Sequence, residues 1–370
     1  MPSSSRYRLV RRAVEATAPP TLDASQQAVV DHPGGPLLVL AGPGTGKTTT
    51  LVEAVVDRVA RGASPDQVLV LTFSRKAADE LRERIATRLG RTVAEPAAYT
   101  FHSWCFALVR AHAEPGRLPR LLSQPERDVR VRELLAGHAE GAGLVSWPAS
   151  LRPALLTRGF AREVAALFDR ARERGLDGAA LRKLGEQAER PAWVAAGTFL
   201  DEYLDVLDAR GEVDYAGLVA AATDLLARDD VATMTRERYR AVFVDEYQDT
   251  DPSQERLLRA LAGGGRDLVV VGDPDQSIYA FRGAEVRNIL DFPDRFRTTT
   301  GDAAPVKTLG VSRRAGAALL ATSRALRVWT GCRRTMPRSR SASQVHPVSR
   351  RARASVAVAA RPGRRPCSCG

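Results

Sequence analysis

A glycine-rich segment between an apolar run and a helix-like pattern limits the possible folds of this 370-residue chain more than any other feature. The branched and aliphatic residues 37–40 predict a buried strand, and the periodic apolar residues of 51–59 predict a helix. Between them lies Ala41-Gly42-Pro43-Gly44-Thr45-Gly46-Lys47-Thr48. A glycine-rich loop binds phosphate in this strand–loop–helix context, so the sequence predicts a phosphate loop in an α/β fold.

The residues of this loop match the requirements of a nucleotide-binding site. Glycine lets backbone N–H groups turn inward around a polyphosphate, and the following helix presents its positive N-terminal end. The Lys47 ammonium can reach the β and γ phosphates, and the Thr48 hydroxyl can ligate Mg²⁺. A glycine-rich turn that binds nothing is the alternative. We expect ATP and Mg²⁺ as cofactors and assign nucleotide contacts to Gly42, Pro43, Gly44, Thr45, Gly46, Lys47, Thr48 and Thr49.

Further apolar runs predict a parallel sheet around this loop. Residues 68–71, 241–244 and 268–271 are short and branched, and polar or turn-forming residues follow each of them, as is typical of buried strands. Residues 76–89 carry apolar side chains at helical spacing, with Ser74 available as the N-terminal cap. Strands that alternate with helices predict an α/β fold with helices covering a parallel sheet.

The long stretch of residues 105–211 has a different character. It is rich in Ala, Leu, Arg and Glu, and it shows helical spacing at residues 160–172 and 193–207. It contains no strand-like run, and the next predicted strand begins only at Ala241. The pattern predicts an all-helical insertion that interrupts the sheet.

Two carboxylates follow the predicted strand of residues 241–244. At the end of a strand next to the phosphate loop, a carboxylate can reach Mg²⁺ and an attacking water. We therefore expect Asp245, together with Thr48, to hold the metal, and Glu246 to orient and deprotonate the water. An acidic turn exposed to solvent is the alternative.

The charge of the chain is unevenly distributed, although its total of +12 is typical of a nucleic-acid binder. Residues 303–370 contain fifteen basic residues and no acid, which leaves a net charge of −3 for residues 1–302. The basicity of the whole chain is therefore no argument about its folded part. Any prediction of DNA binding must rest on motifs.

Membrane proteins and disulfide-rich proteins are not favoured. No run approaches the roughly 20 apolar residues that span a bilayer, and the N-terminus lacks the apolar centre of a signal peptide. The four cysteines indicate no disulfide framework, and Cys367 and Cys369 have neither the spacing nor the partners of a zinc site. We predict a cytoplasmic protein without a membrane partner.

Several motifs, taken in order, resemble those of superfamily 1A DNA helicases of the UvrD/PcrA/Rep type. Within this group, the chain most resembles the helicase subunits of AdnAB-like recombination motors. Residues 22–27 resemble the Q motif, and this resemblance implies that Gln26 reads the adenine edge. Residues 72–78 and 100–103 resemble motifs Ia and Ib, which line the single-strand track in that family. Residues 213–215 resemble the segment that precedes the acidic strand.

Residues 271–284 resemble motif III along nearly their whole length, and this match discriminates against an unrelated phosphate-loop ATPase. The resemblance implies that Gln276 senses the γ-phosphate, while two aromatic rings face DNA and stack on any base without sequence preference. Each aromatic residue has the alternative of being part of the core. The expected DNA-binding residues are Phe73, Arg75, Lys76, Thr100, His102, Tyr279, Phe281 and Arg282.

Residues 309–314 resemble motif IV, with one departure. Arg314 falls on the arginine that contacts the γ-phosphate across the domain cleft, so the resemblance implies a catalytic role for it. Arg313 stands where the family has a tyrosine that stacks on adenine, although a guanidinium can also stack on a base. Two surface arginines are the alternative.

The resemblance stops near Arg327, and residues 328–370 lack periodicity and are rich in Arg, Ser, Ala, Pro and Gly. This composition predicts disorder. Because only 4 of the 55 basic residues are Lys, as expected from a G+C-rich gene, we hypothesise a frameshifted read-through. A basic arm that binds phosphates is the alternative. The expected domains are an N-terminal arm (1–19), a RecA-like ATP-binding motor domain (20–104 and 212–300), the helical insertion (105–211), the start of a second RecA-like domain (301–328) and a basic tail (329–370).

The resemblance implies an ATP-dependent 3′-to-5′ DNA helicase of repair or recombination, which couples ATP hydrolysis to translocation along single-stranded DNA. The implied partners are single-stranded and duplex-junction DNA, and a helicase or nuclease subunit. Because the motifs of a second motor domain are missing, we expect these 370 residues to bind ATP and to unwind little DNA. The alternative is a non-catalytic ATP- and DNA-binding fragment or a pseudogene product.

Overall fold

The structure is a computed structural model that describes residues 18–90, 97–114, 116, 118–277, 286–314 and 316. Its strands are β1 (Pro36–Ala41), β2 (Val68–Thr72), β3 (Ala97–Thr100), β4 (Arg120–Leu121), β5 (Glu212–Val213), β6 (Ala241–Val244), β7 (Asp267–Gly272) and β8 (Val306–Leu309). Its α-helices are α1 (Ala24–Val30), α2 (Lys47–Ala60), α3 (Arg75–Leu89), α4 (Phe101–His112), α5 (Gln124–Ala139), α6 (Arg158–Glu173), α7 (Gly178–Gln187), α8 (Pro191–Ala209), α9 (Tyr215–Leu226), α10 (Asp229–Arg238), α11 (Pro252–Ala262) and α12 (Val286–Arg295).

Six strands form one parallel sheet in the order β3-β2-β6-β7-β1-β8. The four strands predicted from apolar runs, namely β1, β2, β6 and β7, are all present and lie side by side at its centre. Every residue of β2 and β6 is buried, as expected of central strands in a parallel sheet. The predicted α/β fold with helices over a parallel sheet is confirmed.

Alternate residues of each central strand face two separate cores, because successive side chains of a strand point to opposite faces. Val39 and Val70 pack with α1, α2 and α3 on one face. Leu38, Leu69 and Val270 pack with α4, α9, α11 and α12 on the other. The sheet is therefore covered on both faces, as all-parallel sheets require.

The two edge strands of the sheet were not among the predicted elements. β3 reads Ala-Ala-Tyr-Thr and β8 reads Val-Lys-Thr-Leu, so neither has the continuous apolar run of a central strand. β8 pairs with β1, with Leu38 opposite Val306 and Ala41 opposite Leu309. The sheet thus includes a strand past residue 300, where we expected the motor domain to end, namely β8 at residues 306–309.

The insertion has its own core. Helices α5, α6, α7 and α8 enclose a cluster centred on Trp147, Phe168, Phe199 and Tyr203. The predicted helices at residues 160–172 and 193–207 are confirmed as parts of α6 and α8. The chain enters this cluster through β4 and leaves it through β5, and these two-residue strands pair with each other.

The helix α4 lies on the motor side of the expected boundary at residue 105. Its residues Phe101, Trp104, Cys105 and Val109 are buried in the same core as Leu38 of β1. The insertion's own core begins only at Leu122. The contacts therefore place the start of the insertion near β4.

Several predicted segments fall outside the described residues, among them most of the N-terminal arm, the second half of motif III and the basic tail. Within the described ranges 18–90, 97–114, 118–277 and 286–314, no helix has both the length and the apolarity needed to cross a membrane.

Candidate active site

The functional segments converge because all six strands of the sheet are parallel. The loops that follow the carboxyl ends of parallel strands lie at one edge of a sheet, where α/β proteins bind their ligands. Here that edge carries the phosphate loop after β1, Phe73 after β2, Asp245 after β6, Asp273 after β7 and Gly310 after β8. Motifs that are far apart in the sequence therefore lie close together in space.

The phosphate loop depends on glycine at two positions. Gly44 and Gly46 have φ angles of 75° and 86°, a left-handed conformation that other residues rarely adopt. A Cβ atom on Gly46 would lie 2.5 Å from Nε2 of Gln26. The Thr45 hydroxyl closes the loop by donating to the Gly42 carbonyl at 2.8 Å. Helix α2 then begins at Lys47, so its N-terminal end faces the loop.

Lys47 and Glu246, which are 199 residues apart, meet in an ion pair. The Lys47 Nζ donates to Glu246 Oε2 at 3.0 Å, and the exposed fractions of the two side chains are 12% and 38%. Glu246 has a φ of 52°, which is unusual for a residue other than glycine and costs roughly 1–3 kcal/mol. This strained turn after β6 directs the carboxylate towards the phosphate loop.

Asp245 lies directly before Glu246 and is almost completely buried, with 6% of its surface exposed. Burial and then the Glu246 carboxylate raise the pKa of Asp245 to about 6, although the charge of Lys47 opposes the shift. The only described hydrogen bond of its carboxylate is accepted from the Glu246 backbone N–H at 3.1 Å. The pair thus holds more negative charge than the neighbouring lysine compensates.

Gln248 connects this carboxylate pair to the segment that follows β7. Its side-chain Nε2 donates to Glu246 Oε2 at 2.8 Å, and its Oε1 accepts from the Asp273 N–H at 2.9 Å. Asp273 in turn accepts from Gln276 Nε2 at 2.6 Å. A chain of hydrogen bonds therefore runs from the phosphate loop through Glu246, Gln248 and Asp273 to Gln276.

The segment after β8 lies against the phosphate loop from the other side. The Arg313 backbone N–H donates to the Gly44 carbonyl at 2.9 Å, and the Ser312 hydroxyl donates to the Pro43 carbonyl at 3.0 Å. A Cβ atom on Gly44 would lie 2.5 Å from Cβ of Arg314. The two arginines of this segment are thus next to the loop, and their roles remain predictions.

A comparison with known protein families identifies the family that has this set of residues. The sequence model of the UvrD/REP helicase N-terminal domain matches residues 22–297, which include the phosphate loop, both carboxylates and Gln276. The chain belongs to the UvrD/REP helicase family. The recognised resemblance to superfamily 1A helicases is therefore confirmed.

The relatives agree with this membership. The chain is 35% identical over 282 residues to the ATP-dependent DNA helicase UvrD1 of Mycobacterium bovis, covering 73% of this chain and 35% of that protein. It is 35% identical over 293 residues to UvrD1 of Mycobacterium leprae, with 75% and 36% covered. For DNA helicase II of Escherichia coli the identity is 32% over 280 residues, with 75% and 36% covered. The chain spans about a third of the length of these curated relatives.

The magnesium that UvrD/REP helicases imply can be tested against this chain's own residues. Asp245 and Glu246 form an undercompensated acidic pair, and a raised pKa at a buried carboxylate indicates that a cation would stabilise its ionised form. The Thr48 side chain is half-buried and makes no hydrogen bond to another described residue. Oxygen ligands of this kind suit Mg²⁺, so the residues fit the ion.

The expected DNA-contacting residues of this helicase domain divide into two groups. Phe73, Arg75, Lys76 and His102 follow the ends of β2 and β3, which pair with Thr72 opposite Thr100. The Phe73 ring packs against Phe101 at 5.5 Å, and the His102 ring meets Tyr215 edge-on at 5.0 Å. Their roles remain predictions. The second group, Tyr279, Phe281 and Arg282, lies outside the described residues, and its roles remain predictions as well.

Two predicted site residues have structural contacts in the helicase domain. Thr100 is the N-cap of α4, and its hydroxyl accepts from the Ser103 N–H at 3.1 Å. Thr49 accepts a hydrogen bond from Arg84 of α3 at 3.0 Å, which ties α2 to α3. These contacts explain both residue types without DNA or nucleotide.

Sequence reasoning missed the bridging role of Gln248 and the aromatic partner of His102. Gln248 stands two residues after Glu246 in the acidic motif, so its position was a usable signal. Tyr215 is 37% exposed next to His102. Burial lowers the pKa of His102 against the opposing charge of Asp251, so this ring is neutral at neutral pH and suited to stacking.

Proposed function

We propose that this chain is the ATP-hydrolysing, DNA-contacting part of a UvrD-like DNA helicase that acts 3′ to 5′ in repair or recombination. The proposal extends to single-stranded and duplex-junction DNA as substrates, to a helicase or nuclease partner subunit and to the cytoplasm as its location. The polarity and the pathway rest on the family resemblance alone. The ATPase proposal has direct support in the geometry of the site.

The observation that carries the proposal is the contact between Lys47 and Glu246. It joins the phosphate loop to the strand-end carboxylates at 3.0 Å, and Gln248 extends the connection to motif III. Such a set of residues binds a triphosphate, holds a cation and activates water at one place. Three separate predictions from the sequence thus meet in one site.

The same contacts suggest how the site works. Lys47 turns from Glu246 to the β and γ phosphates when ATP binds, because the phosphates offer a larger negative charge. The Glu246 carboxylate, released by the ammonium, can then accept the proton of the attacking water, while Gln248 Nε2 keeps it oriented by donating to Oε2. Asp245 and Thr48 would hold Mg²⁺, which would neutralise charge on the phosphates when bound.

Gln248 also provides a route by which nucleotide state reaches DNA. Its amide holds Glu246 with one end and the Asp273 backbone with the other, and Asp273 holds Gln276. A shift of Glu246 during hydrolysis therefore moves the start of motif III. Tyr279 and Phe281, for which we propose base stacking, follow this segment directly in the sequence.

The decisive experiment measures ATP hydrolysis with and without single-stranded DNA. We expect DNA to stimulate turnover, and we expect Lys47→Ala and Glu246→Gln to abolish the stimulated rate. Lys183→Ala and Glu163→Gln, at exposed positions of the insertion, are the matched controls.

Binding of ATP without turnover would instead support a non-catalytic nucleotide- and DNA-binding module. A DNA-stimulated rate that survives in Glu246→Gln would contradict the assignment of the base. For strand separation, we expect little activity from these 370 residues, because the described part contains a single ATPase sheet.

A further inference from the structure

The edge of the sheet opposite the candidate active site carries a cluster of three arginines. Arg240 and Arg266 directly precede the neighbouring strands β6 and β7, and Arg236 lies in the last turn of α10. Together with Glu237 and Asp267 they line a shallow cavity of about 370 Å³. The strand β6 of four residues, about 13 Å long, separates this cavity from the active site.

Two of the guanidinium groups are held in place by backbone carbonyls. Nη2 of Arg266 donates to the Arg236 carbonyl at 2.6 Å and to the Tyr239 carbonyl at 3.0 Å. Nη2 of Arg236 donates to the Ala260 carbonyl at 2.7 Å. The Nη1 and Nε atoms of both groups have no hydrogen bond within the described residues. Each fork is therefore fixed in position and keeps N–H groups for an oxyanion.

The charge around the cavity is not balanced. Asp267 is paired with Arg58, whose Nε lies 2.7 Å from its carboxylate, so Glu237 is the lining acid that remains. Within the described residues, no carboxylate forms an ion pair with any of the three arginines. Burial and then the charge of Arg236 lower the pKa of Arg266, as expected where cations lie near one another without an anion. The cavity therefore favours an anionic ligand.

The character of the lining favours a phosphate over a protein segment. All five lining residues are charged, and no apolar side chain is among them. The centres of protein–protein interfaces are depleted in charged residues and enriched in aromatic ones. Arginine forks match phosphate oxygens bidentately, and contacts to DNA phosphates need no apolar surface. DNA is also the polyanion on which the proposed function depends.

We propose that Arg236, Arg240 and Arg266 form a second DNA contact, which binds a backbone phosphate at the edge of the sheet opposite the ATPase site. The inference rests on the proposed DNA-dependent function and adds residues that belong to none of the helicase motifs. A purely structural role in joining α10 to β7 and α11 would explain the Nη2 contacts. It would not explain Arg240, which is exposed and has no described side-chain hydrogen bond.

The test is fluorescence anisotropy of a labelled single strand and of a labelled blunt duplex, titrated with the full chain at about 50 to 200 mM salt. The variants are Arg240→Ala and Arg240→Glu. The matched controls are Arg190→Ala and Arg190→Glu, at an exposed arginine of the insertion that also has no described side-chain hydrogen bond. The basic residues of 303–370 are present in every variant, so differences between variants report the substituted position.

Arg240→Ala should raise the dissociation constant about fivefold at about 100 mM salt, and Arg240→Glu should raise it more than about tenfold. The slope of log Kd against log salt should fall by about one in Arg240→Ala, as expected when one phosphate contact is lost. The Arg190 variants should keep the wild-type slope. A change with only one of the two DNA forms would support the proposal and identify the form that supplies the phosphate.

The remaining outcomes contradict the proposal. An unchanged dissociation constant and slope with both DNA forms would overturn the second contact alone and would favour an acidic protein segment as the ligand. Weaker binding with an unchanged slope would show a structural role, and an equal effect in Arg190→Glu would show a dependence on total charge. A wild-type chain that binds neither DNA form would overturn the proposed function as well.

Discussion

Two buried aspartates of this chain have opposite electrostatic surroundings. Asp214, at the junction between the insertion and the sheet, is 2% exposed. It accepts hydrogen bonds from Arg172 at 2.6 and 2.7 Å, from the Tyr203 hydroxyl at 3.0 Å and from the Gly217 N–H at 2.8 Å. Asp245, at the end of β6, accepts one described hydrogen bond and lies beside a second carboxylate.

The pKa values show the consequence of this difference. Burial acts to raise the pKa of Asp214, but the charges of Arg172 and Arg127 and the Gly217 N–H outweigh it, and the pKa is lowered. The pKa of Asp245 is raised to about 6. The junction therefore contains the cations that compensate the charge of Asp214. At the strand-end site, the positive charge of Lys47 is too small to compensate Asp245 and Glu246. A site for Mg²⁺ can be distinguished from a structural ion-pair network by this deficit.

The largest expected effect separates chemistry from stability. Glu246→Gln should lower DNA-stimulated ATP hydrolysis about 10³-fold, because it removes the proposed proton acceptor. The free energy of unfolding should stay within about 0.5 kcal/mol of the wild-type value, since the carboxylate is partly exposed. Steady-state turnover and urea unfolding of the same preparation check both parts. A comparable loss in Glu163→Gln would contradict a specific role.

The second prediction concerns the junction. Asp214→Asn should lower the free energy of unfolding by about 3 kcal/mol, because it leaves the buried guanidinium of Arg172 without its anion and leaves Arg127 with Asp169 alone. The Nε of Arg127 already lacks a hydrogen-bond partner within the described residues. Urea unfolding measures the change, and Asp208→Asn on the exposed side of α8 is the matched control. A loss below about 1 kcal/mol would show that the network is dispensable.

The same substitution at the other aspartate should have the opposite sign. In EDTA at pH 8, Asp245→Asn should raise the free energy of unfolding by about 1–2 kcal/mol. An aspartate with a raised pKa destabilises the fold at pH values above that pKa, and the amide removes this penalty. Urea unfolding again gives the value. Destabilisation similar to that of Asp214→Asn would contradict the proposed deficit.

The smallest predicted effect concerns Glu173 on α6, the helix that also carries Arg172. It tests whether the negative charge of this carboxylate is compensated as that of Asp214 is. Burial, together with Asp251 and Asp169, raises the pKa of Glu173 to about 7, against the opposing charge of Arg170. The folded chain then retains a proton that the unfolded chain has released, so stability should fall between about pH 4.5 and pH 7.

Glu173→Gln should remove this part of the pH dependence, a difference of about 1 kcal/mol after allowance for solvent screening. Unfolding free energies at pH 5 and pH 8 measure it, with Glu163→Gln on the same helix as the control. An unchanged pH slope in Glu173→Gln would show that this carboxylate is ionised in the folded chain.

The sequence predicted the central elements because burial leaves a direct signal in composition. Residues such as those of β6, Ala-Val-Phe-Val, have no polar side at all, and Ser74 is the cap of α3 as expected. The edge strands β3 and β8 each have a neighbouring strand on one side only, and they are less buried than the central strands. They therefore contain polar residues such as Lys307, and their sequences lack the continuous apolar run that predicts a strand. These two strands were consequently not predicted.

The contacts between motifs depend on the strand order, which no local pattern specifies. Arg313 and Asp23 are 290 residues apart, and they meet because β8 lies next to β1. Gln248 bridges to Asp273 because β6 and β7 are neighbours. The predicted nucleotide loop and carboxylates were identified from single motifs, whereas the contacts of Gln26 with Thr45 and Arg313 became visible only in the fold.

Calorimetric titration of ATPγS with and without Mg²⁺ tests the deficit at the strand-end site most directly. The account predicts that Mg²⁺ tightens binding to the wild-type chain and to Asp208→Asn by about tenfold or more, and that this dependence disappears in Asp245→Asn. An equal effect of Mg²⁺ on the wild-type chain and on Asp245→Asn would contradict it.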